Sequence, residues 1–242
     1  MKASKLIPFM LFLMVSLTAA AKEKNMNWDD FNATVGIDVK KFTSSTVCTG
    51  VLIRPQVVIT AAHCLVGLKS SRVTTAEAMG EATYWVDSVH AVIHPQYDGN
   101  APGSSVDVGL LFLAQPITGV HYALHGNFDM SNQCERIGYG GRKGKNVRTW
   151  LTSFPQILQG TSLRVQDALG VLGDSGGPVY QNLPEGMRLI GVHTGREYGW
   201  GGYLNDVSFV QLLTPEIWAW VQSQAHAPVS YTHLTLPTIY SV

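Results

Sequence analysis

Leu172-Gly173-Asp174-Ser175-Gly176-Gly177-Pro178-Val179 places a serine among small residues, with one glycine two positions before it and two directly after. In such a turn a hydroxyl stands exposed while neighbouring N–H groups can face the same point, as a nucleophile requires. Ser175 is the candidate nucleophile, and the amides of Gly173 and Ser175 are the candidate oxyanion hole. On turn chemistry alone, a serine between glycines is also simply a turn. Two other stretches shift the balance.

Val57-Val58-Ile59-Thr60-Ala61-Ala62-His63-Cys64 is an apolar, β-branched run that ends in small residues, a histidine and a cysteine. A histidine just past a buried strand has its ring held at the rim of the core, where a general base belongs. Asp107-Val108-Gly109-Leu110-Leu111-Phe112-Leu113 opens an apolar strand with a carboxylate. A buried carboxylate is costly without a partner, and an imidazole N–H is the partner a triad supplies.

The blocks around His63, Asp107 and Ser175 resemble, in order, the three signature blocks of the chymotrypsin/trypsin-like serine peptidases, over roughly residues 33 to 224. That order differs from the orders of subtilisin-like enzymes and of α/β-hydrolases. The resemblance implies an all-β fold of two packed six-stranded antiparallel Greek-key barrels with a C-terminal helix. It also implies peptide-bond hydrolysis through an acyl-enzyme on Ser175, with protein or peptide substrates and no metal or organic cofactor. Cys48 and Cys64 fall where the family has a disulfide beside its histidine; two free buried thiols are the alternative. The block from Cys134 to Gly140 is similar to one whose cysteine often pairs with another shortly after the nucleophile. Gln181 holds that second position, so Cys134 is expected as a buried free thiol, with an intermolecular bridge as the alternative.

Specificity depends on the walls of the pocket beside Ser175. Leu169 falls where trypsin-like members carry a pocket-floor aspartate, which argues against a strong Lys/Arg preference. Ile190-Gly191-Val192-His193-Thr194-Gly195 instead resembles the segment of glutamyl endopeptidases and exfoliative-toxin-like peptidases in which a histidine receives an acidic side chain. Leu169, His193, Thr194, Gly195 and Arg196 are the candidate substrate-binding residues, with Glu or Asp expected before the scissile bond. A histidine packed in a strand, in a peptidase of other specificity, is the alternative. Two departures qualify the likeness: the chain shows no Ile-Val-Gly-Gly type terminus although Asp174 is present, and the glutamyl enzymes more often read Gly-Asn-Ser-Gly-Ser. Asp174 therefore pairs with a different terminus, such as Lys22, or with other donors.

Met1 to Ala21 has Lys2 and Lys5, an apolar run from Leu6 to Leu17 and alanines at 19 and 21, which reads as a secretory signal peptide. Export, to the exterior or the periplasm, follows, and no later segment is long and apolar enough to anchor the chain. Residues 22–32 are polar and read as a loose leader or short propeptide. A peptidase domain at 33–227, with barrels at about 33–118 and 119–227, follows. Residues 228–242 change character, resemble translated read-through sequence and are left out of the fold. The chain has 242 residues and a formal net charge of zero, so it can form one two-barrel unit and offers no broad electrostatic footprint for nucleic acid or an anionic membrane. A monomer is expected.

Along the chain, strands are expected over residues 34–39, 46–53, 86–93, 107–113, 134–139, 148–153, 161–165, 177–180, 189–194 and 202–207, with a helix over 215–222. His90 and His94 sit among strand-like residues before Pro95, so their spacing is not that of a helical metal site. Residues 98–105 read as an exposed loop. His121 and His125 carry no partner pattern. Two rival classes remain: a catalytically silent binding protein on the same fold, whose usual mark is loss of a triad residue, and an α/β-hydrolase, which needs another residue order and alternating helices.

Overall fold

The computed structural model describes residues 31–99, 105–142, 145–166, 170–197 and 207–226. The signal and tail segments, Leu169, residues 100–104 of the expected loop and most of the expected strand 202–207 lie outside them. The first barrel comprises β1 (Thr34–Lys41), β2 (Ser45–Arg54), β3 (Val57–Thr60), β4 (Leu68–Thr74), β5 (Val86–Ile93) and β6 (Gly109–Leu113), with a helical turn α1 (Ala62–Leu65) after β3. The second comprises β7 (Cys134–Gly138), β10 (Thr149–Gln159), β11 (Ser162–Gln166), β12 (Pro178–Leu183), β13 (Gly186–Glu197) and β14 (Val207–Leu212). A small hairpin, β8 (Gly141–Arg142) with β9 (Lys145–Asn146), precedes β10, and α2 (Pro215–His226) ends the described fold.

Both sheets close, in the orders β1-β2-β3-β6-β5-β4 and β7-β10-β11-β14-β13-β12, which are the same permutation of each barrel's own strands. Among the described residues, closure leaves no long unpaired strand edge in either barrel. Alternation drives β1, where Val35, Ile37 and Val39 all point inward and are fully buried. β3 and β6 are buried at every position, so they read as continuous apolar runs. Their apolar cluster continues to Trp150, Tyr180, Leu189 and Val192 of the second barrel and to Ile217 and Val221 of α2. The interior of the second barrel is a separate cluster around Leu163, Val165, Val179, Ile190 and Val210.

The observed elements differ from the expected ones in ways that packing explains. β4, with polar residues at Lys69, Ser70 and Arg72, has no strong alternating pattern, yet β1 pairs with it along most of its length. The last strand runs Val207–Leu212, because β11 and β13 bracket that segment. Phe31 and Asn32, assigned above to a loose leader, are part of the fold. Phe31 is buried edge-on against Trp150 and Tyr180, with ring centroids 4.7 and 5.2 Å away. Asn32 accepts the His121 N–H at 2.8 Å.

Cys48 and Cys64 form a disulfide that ties β2 to α1 across 16 residues. Closing a loop of that size is worth about 3 kcal/mol through the unfolded chain. Cys134 is free and fully buried, so the alternative of an intermolecular bridge is closed to it. Burial pushes its thiol up to about 12, which keeps it protonated and inert. Gln181 does here by hydrogen bonding what a second cysteine would do covalently. Its Nε2 donates to the carbonyls of Asp129 and Asn132 at 2.7 and 3.0 Å, and its Oε1 accepts the Asp129 N–H at 2.9 Å.

The C-terminal helix begins at Pro215, whose missing N–H costs nothing at that position. Trp218 stacks on His125 at 4.5 Å, and Trp220 meets His94 edge-on at 4.5 Å. His125 Nε2–H donates to the Leu213 carbonyl at 2.7 Å, while His94 Nδ1 accepts the Gln96 N–H at 3.2 Å. Burial lowers the pKa of both imidazoles below the ordinary 6.5, although the Leu213 bond partly offsets this at His125. As pH falls, the unfolded chain therefore takes up protons first. Helix docking is at full strength above about pH 6.5 and weakens as pH falls from there through the lower folded values. The melting temperature should drop between about pH 7.5 and pH 5, and His125→Gln should flatten that drop; an unchanged slope in the variant would show that His125 is not its source.

Candidate active site

Strand register assembles the first half of the site. Thr60, at the end of β3, lies opposite Gly109, at the start of β6. Three residues beyond Thr60 and two before Gly109, the chain therefore brings His63 and Asp107 to one end of the ladder. The carboxylate grips the histidine at two points: Oδ2 is 2.7 Å from Nδ1, and Oδ1 accepts the His63 backbone N–H at 2.9 Å. Asp107 N–H itself donates to Gln211 Oε1 at 3.2 Å. With the Asp107 side chain 12% exposed and that of His63 34%, the acid is sequestered and the ring keeps one face open. Nδ1–H is committed to the carboxylate, so the neutral imidazole presents Nε2 as an acceptor. The sequence placed His63 directly after a strand; it sits on the helical turn α1, which the disulfide pins.

Ser175 belongs to a loop whose peptide planes are tied one after another. The Leu172 carbonyl accepts the Gly141 N–H at 3.0 Å, and the Asp174 carbonyl accepts the Gly177 N–H at 2.9 Å. In a trans peptide the N–H points away from its own C=O. Tying those two carbonyls therefore turns out the N–H groups of Gly173 and Ser175, and among the described residues neither donates to an acceptor in the chain. Gly173 has φ +104°, which a side chain would resist. At Gly176 a Cβ would fall 2.0 Å from Thr60 Oγ1 and 2.3 Å from the Thr49 carbonyl oxygen, so the loop lies directly against the first barrel.

Asp174, whose partner the sequence left open, is buried under this loop. Its Oδ1 accepts the Gly140 N–H at 2.8 Å and its Oδ2 the Val171 N–H at 3.0 Å. Those amides stabilise the ionised carboxylate and draw the loop onto the end of β7.

The Cys64 sulfur lies 3.8 Å from His63 Nε2 and 3.8 Å from the Ser175 carbonyl oxygen, so histidine and serine flank one atom of the disulfide. Ser175 Oγ makes no hydrogen bond among the described residues, so the bond between Oγ and His63 Nε2 that a nucleophile and its base would share is not made. Such bonds are often long before substrate binds.

The candidate pocket residues gather on β13 beside the loop. His193 N–H donates to the Gly177 carbonyl at 2.8 Å, and its carbonyl accepts the Gly176 N–H at 2.6 Å. Its ring is buried, and Thr194 Oγ1 donates to the Phe209 carbonyl at 3.3 Å. Arg196 Nη1 donates to the Gly170 carbonyl, and Gly195 lies opposite Phe209. Leu169 falls outside the described residues. Thr49, Gln211 and Arg136 carried no functional signal as sequence; the buried Arg136 guanidinium donates to Ser208 Oγ at 3.3 Å. Thr49 and Gln211 are isolated polar residues in strands, and Arg136 lies inside the Cys134 to Gly140 block without itself carrying that block's likeness.

A family model described as Trypsin matches residues 23–211. The chain is 37% identical over 75 residues to chymotrypsin-like elastase family member 1 of Macaca fascicularis, which covers 29% of this chain and 28% of that protein. It is 26% identical over 228 residues to phenoloxidase-activating enzyme 1 of Spodoptera litura, covering 73% of this chain and 60% of that protein. The chain thus spans less than two thirds of the length of either relative.

The Asp174 seat yields a direct test. A Cβ at Gly138 would lie 2.2 Å from Asp174 Oδ1, so Gly138→Ala must displace the carboxylate. Overpacking of this kind costs about 1–3 kcal/mol, with the loss of a buried charge-assisted bond added to it. Urea denaturation should show a clear loss of stability; a neutral Gly138→Ala would mean that Asp174 is not held as described.

Proposed function

Because this chain belongs to the trypsin family of serine peptidases, we propose that it is an exported serine endopeptidase in which Ser175, His63 and Asp107 form the catalytic triad. The observation that carries this reading is the two-point grip of Asp107 on His63. Ser175 Oγ attacks the scissile carbonyl carbon while His63 Nε2 takes the hydroxyl proton. Asp107 holds the ring in the tautomer that can accept it and stabilises the resulting cation. The carbonyl oxygen, now negative, is received by the Gly173 and Ser175 N–H groups; each such donor is worth on the order of 100-fold or more in rate. Collapse of this intermediate breaks the C–N bond, and His63 hands the proton to the leaving amine. Water, deprotonated by the same nitrogen, then releases the acyl group and restores Ser175.

His193, with Thr194 and Arg196, favours an acidic side chain before the scissile bond. Two cationic or cationisable side chains on β13, beside the serine loop, support that preference. The observation on the side of a silent homologue is the unmade Ser175 to His63 bond, which the same experiment addresses. The chain beginning at Lys22 should cleave matched peptides with Glu or Asp before the bond, and Ser175→Ala should lower kcat by on the order of 10,000-fold or more. Cleavage after Lys or Phe instead would remove the acidic pocket and keep the triad. No cleavage of any peptide would favour the silent homologue.

Export rests on the segment Met1 to Ala21, with cleavage after Ala21. Among the described residues no helix is long and apolar enough to cross a membrane. Expressed in full in a secreting host, the chain should appear outside the cytoplasm with Lys22 as its first residue. An intact Met1 terminus on the exported chain would contradict this.

A further inference from the structure

Thr49 belongs to β2 of the first barrel, directly after Cys48, yet most of its polar contacts are with the second barrel. It is fully buried. Its N–H donates to the Ser175 carbonyl at 2.8 Å, and its carbonyl accepts the Thr60 hydroxyl at 2.7 Å. The hydroxyl accepts the Tyr139 N–H at 2.8 Å and sits 2.8 Å from the Gly173 carbonyl oxygen. Because an amide points into the oxygen, the hydroxyl proton is left to go to Gly173, and the chain of bonds has one direction.

We propose that Thr49 is a positioning residue for the oxyanion hole: its hydroxyl locks the Gly173–Asp174 peptide from the opposite barrel. Its N–H locks the Ser175–Gly176 peptide in the same way. The Leu172–Gly173 and Asp174–Ser175 peptides, which alternate with these two, are tied from within the second barrel, by the Gly141 and Gly177 N–H groups. Gly173 has no side chain to resist rotation, and at φ +104° its flanking peptides can turn at little cost unless their carbonyls are held. The Gly173–Asp174 peptide links the two outward donors, and beside the Thr49 hydroxyl its one other tie is the Asp174 N–H to the Val171 carbonyl at 3.1 Å, so freeing its carbonyl would let the Gly173 and Ser175 N–H groups turn relative to each other. Thr49 touches neither substrate nor the reacting atoms, and acts only through the loop. Substrate binding on β13 does not involve it, so its loss should fall on the chemical step.

The inference rests on the peptidase reading, and the test separates the two. Thr49→Val keeps the shape and removes the hydroxyl, whereas Thr49→Ser restores it. Against the best peptide substrate, Thr49→Val should lower kcat by roughly 10- to 100-fold with KM within about threefold of wild type, and Thr49→Ser should recover kcat to within about threefold. A peptide boronate, which mimics the tetrahedral intermediate, should lose affinity in parallel with kcat. Amide hydrogen exchange in the resting protein should quicken at Tyr139 by roughly tenfold or more in Thr49→Val and not in Thr49→Ser. Unchanged kcat in Thr49→Val beside an active wild type would overturn the positioning role, as would a loss confined to KM or a failure of Thr49→Ser to rescue. Unchanged exchange at Tyr139 would overturn the clamp whether or not the wild type turns over. An inactive wild type would sink the peptidase reading, and with it the catalytic role of Thr49.

Discussion

A carboxylate removed from water at Asp107 has to be given donors, and the whole site is arranged around how it gets them. Stranded and ionised, it would cost several kcal/mol. Among the described residues His63 meets that demand at the side-chain atoms, through the ring Nδ1–H and the backbone N–H. Both donors come from one helical turn, so the acid fixes the position of the residue and the rotation of its ring together. The β3–β6 register makes this possible, and α1 is further pinned by Cys64. A site that needs an oriented base thus follows from solving a burial problem.

In the serine loop two N–H groups, those of Gly173 and Ser175, have no acceptor among the described residues, against the general tendency of backbone donors to find one. The cause is that the loop's carbonyls are tied. Each of the peptides from Leu172 to Gly176 has its oxygen anchored, to Gly141, Thr49, Gly177 and again Thr49. The donors left over are those of Gly173 and Ser175. Asp174 contributes from beneath by collecting the Gly140 and Val171 amides. The loop is therefore held from both barrels, and glycine at 176 permits an approach to Thr60 and Thr49 that any Cβ would prevent.

Elsewhere the molecule uses uncharged devices to hold long-range contacts. Gln181 ties the turn at Asp129 to β12 with three hydrogen bonds, beside a cysteine that has no covalent partner. Phe31 fills the seam against Trp150 and Tyr180. Trp218 and Trp220, which as sequence read simply as packing residues, seat the terminal helix on two histidines. His125 had no partner pattern because Trp218 and Leu213 are distant from it in the chain.

Much of the fold was legible because its signals are local. Alternation in β1, the unbroken apolar runs of β3 and β6, and the proline at the start of α2 each show within a single segment. The blocks around His63, Asp107 and Ser175 were legible for the same reason, since each joins a polar residue to a strand end or a glycine turn. β4 was not, because its strand identity comes from pairing with β1 rather than from its own residues. Nor was the embedding of Phe31, the seat of Asp174 or the part played by Thr49. The sequence alone determined which residue types stand at the ends of which strands, and so which chemistry is available. Tertiary structure decided which carbonyls are tied and which N–H groups are left over, because that depends on hydrogen bonds between residues as far apart as Thr49 and Gly173, which no local pattern encodes.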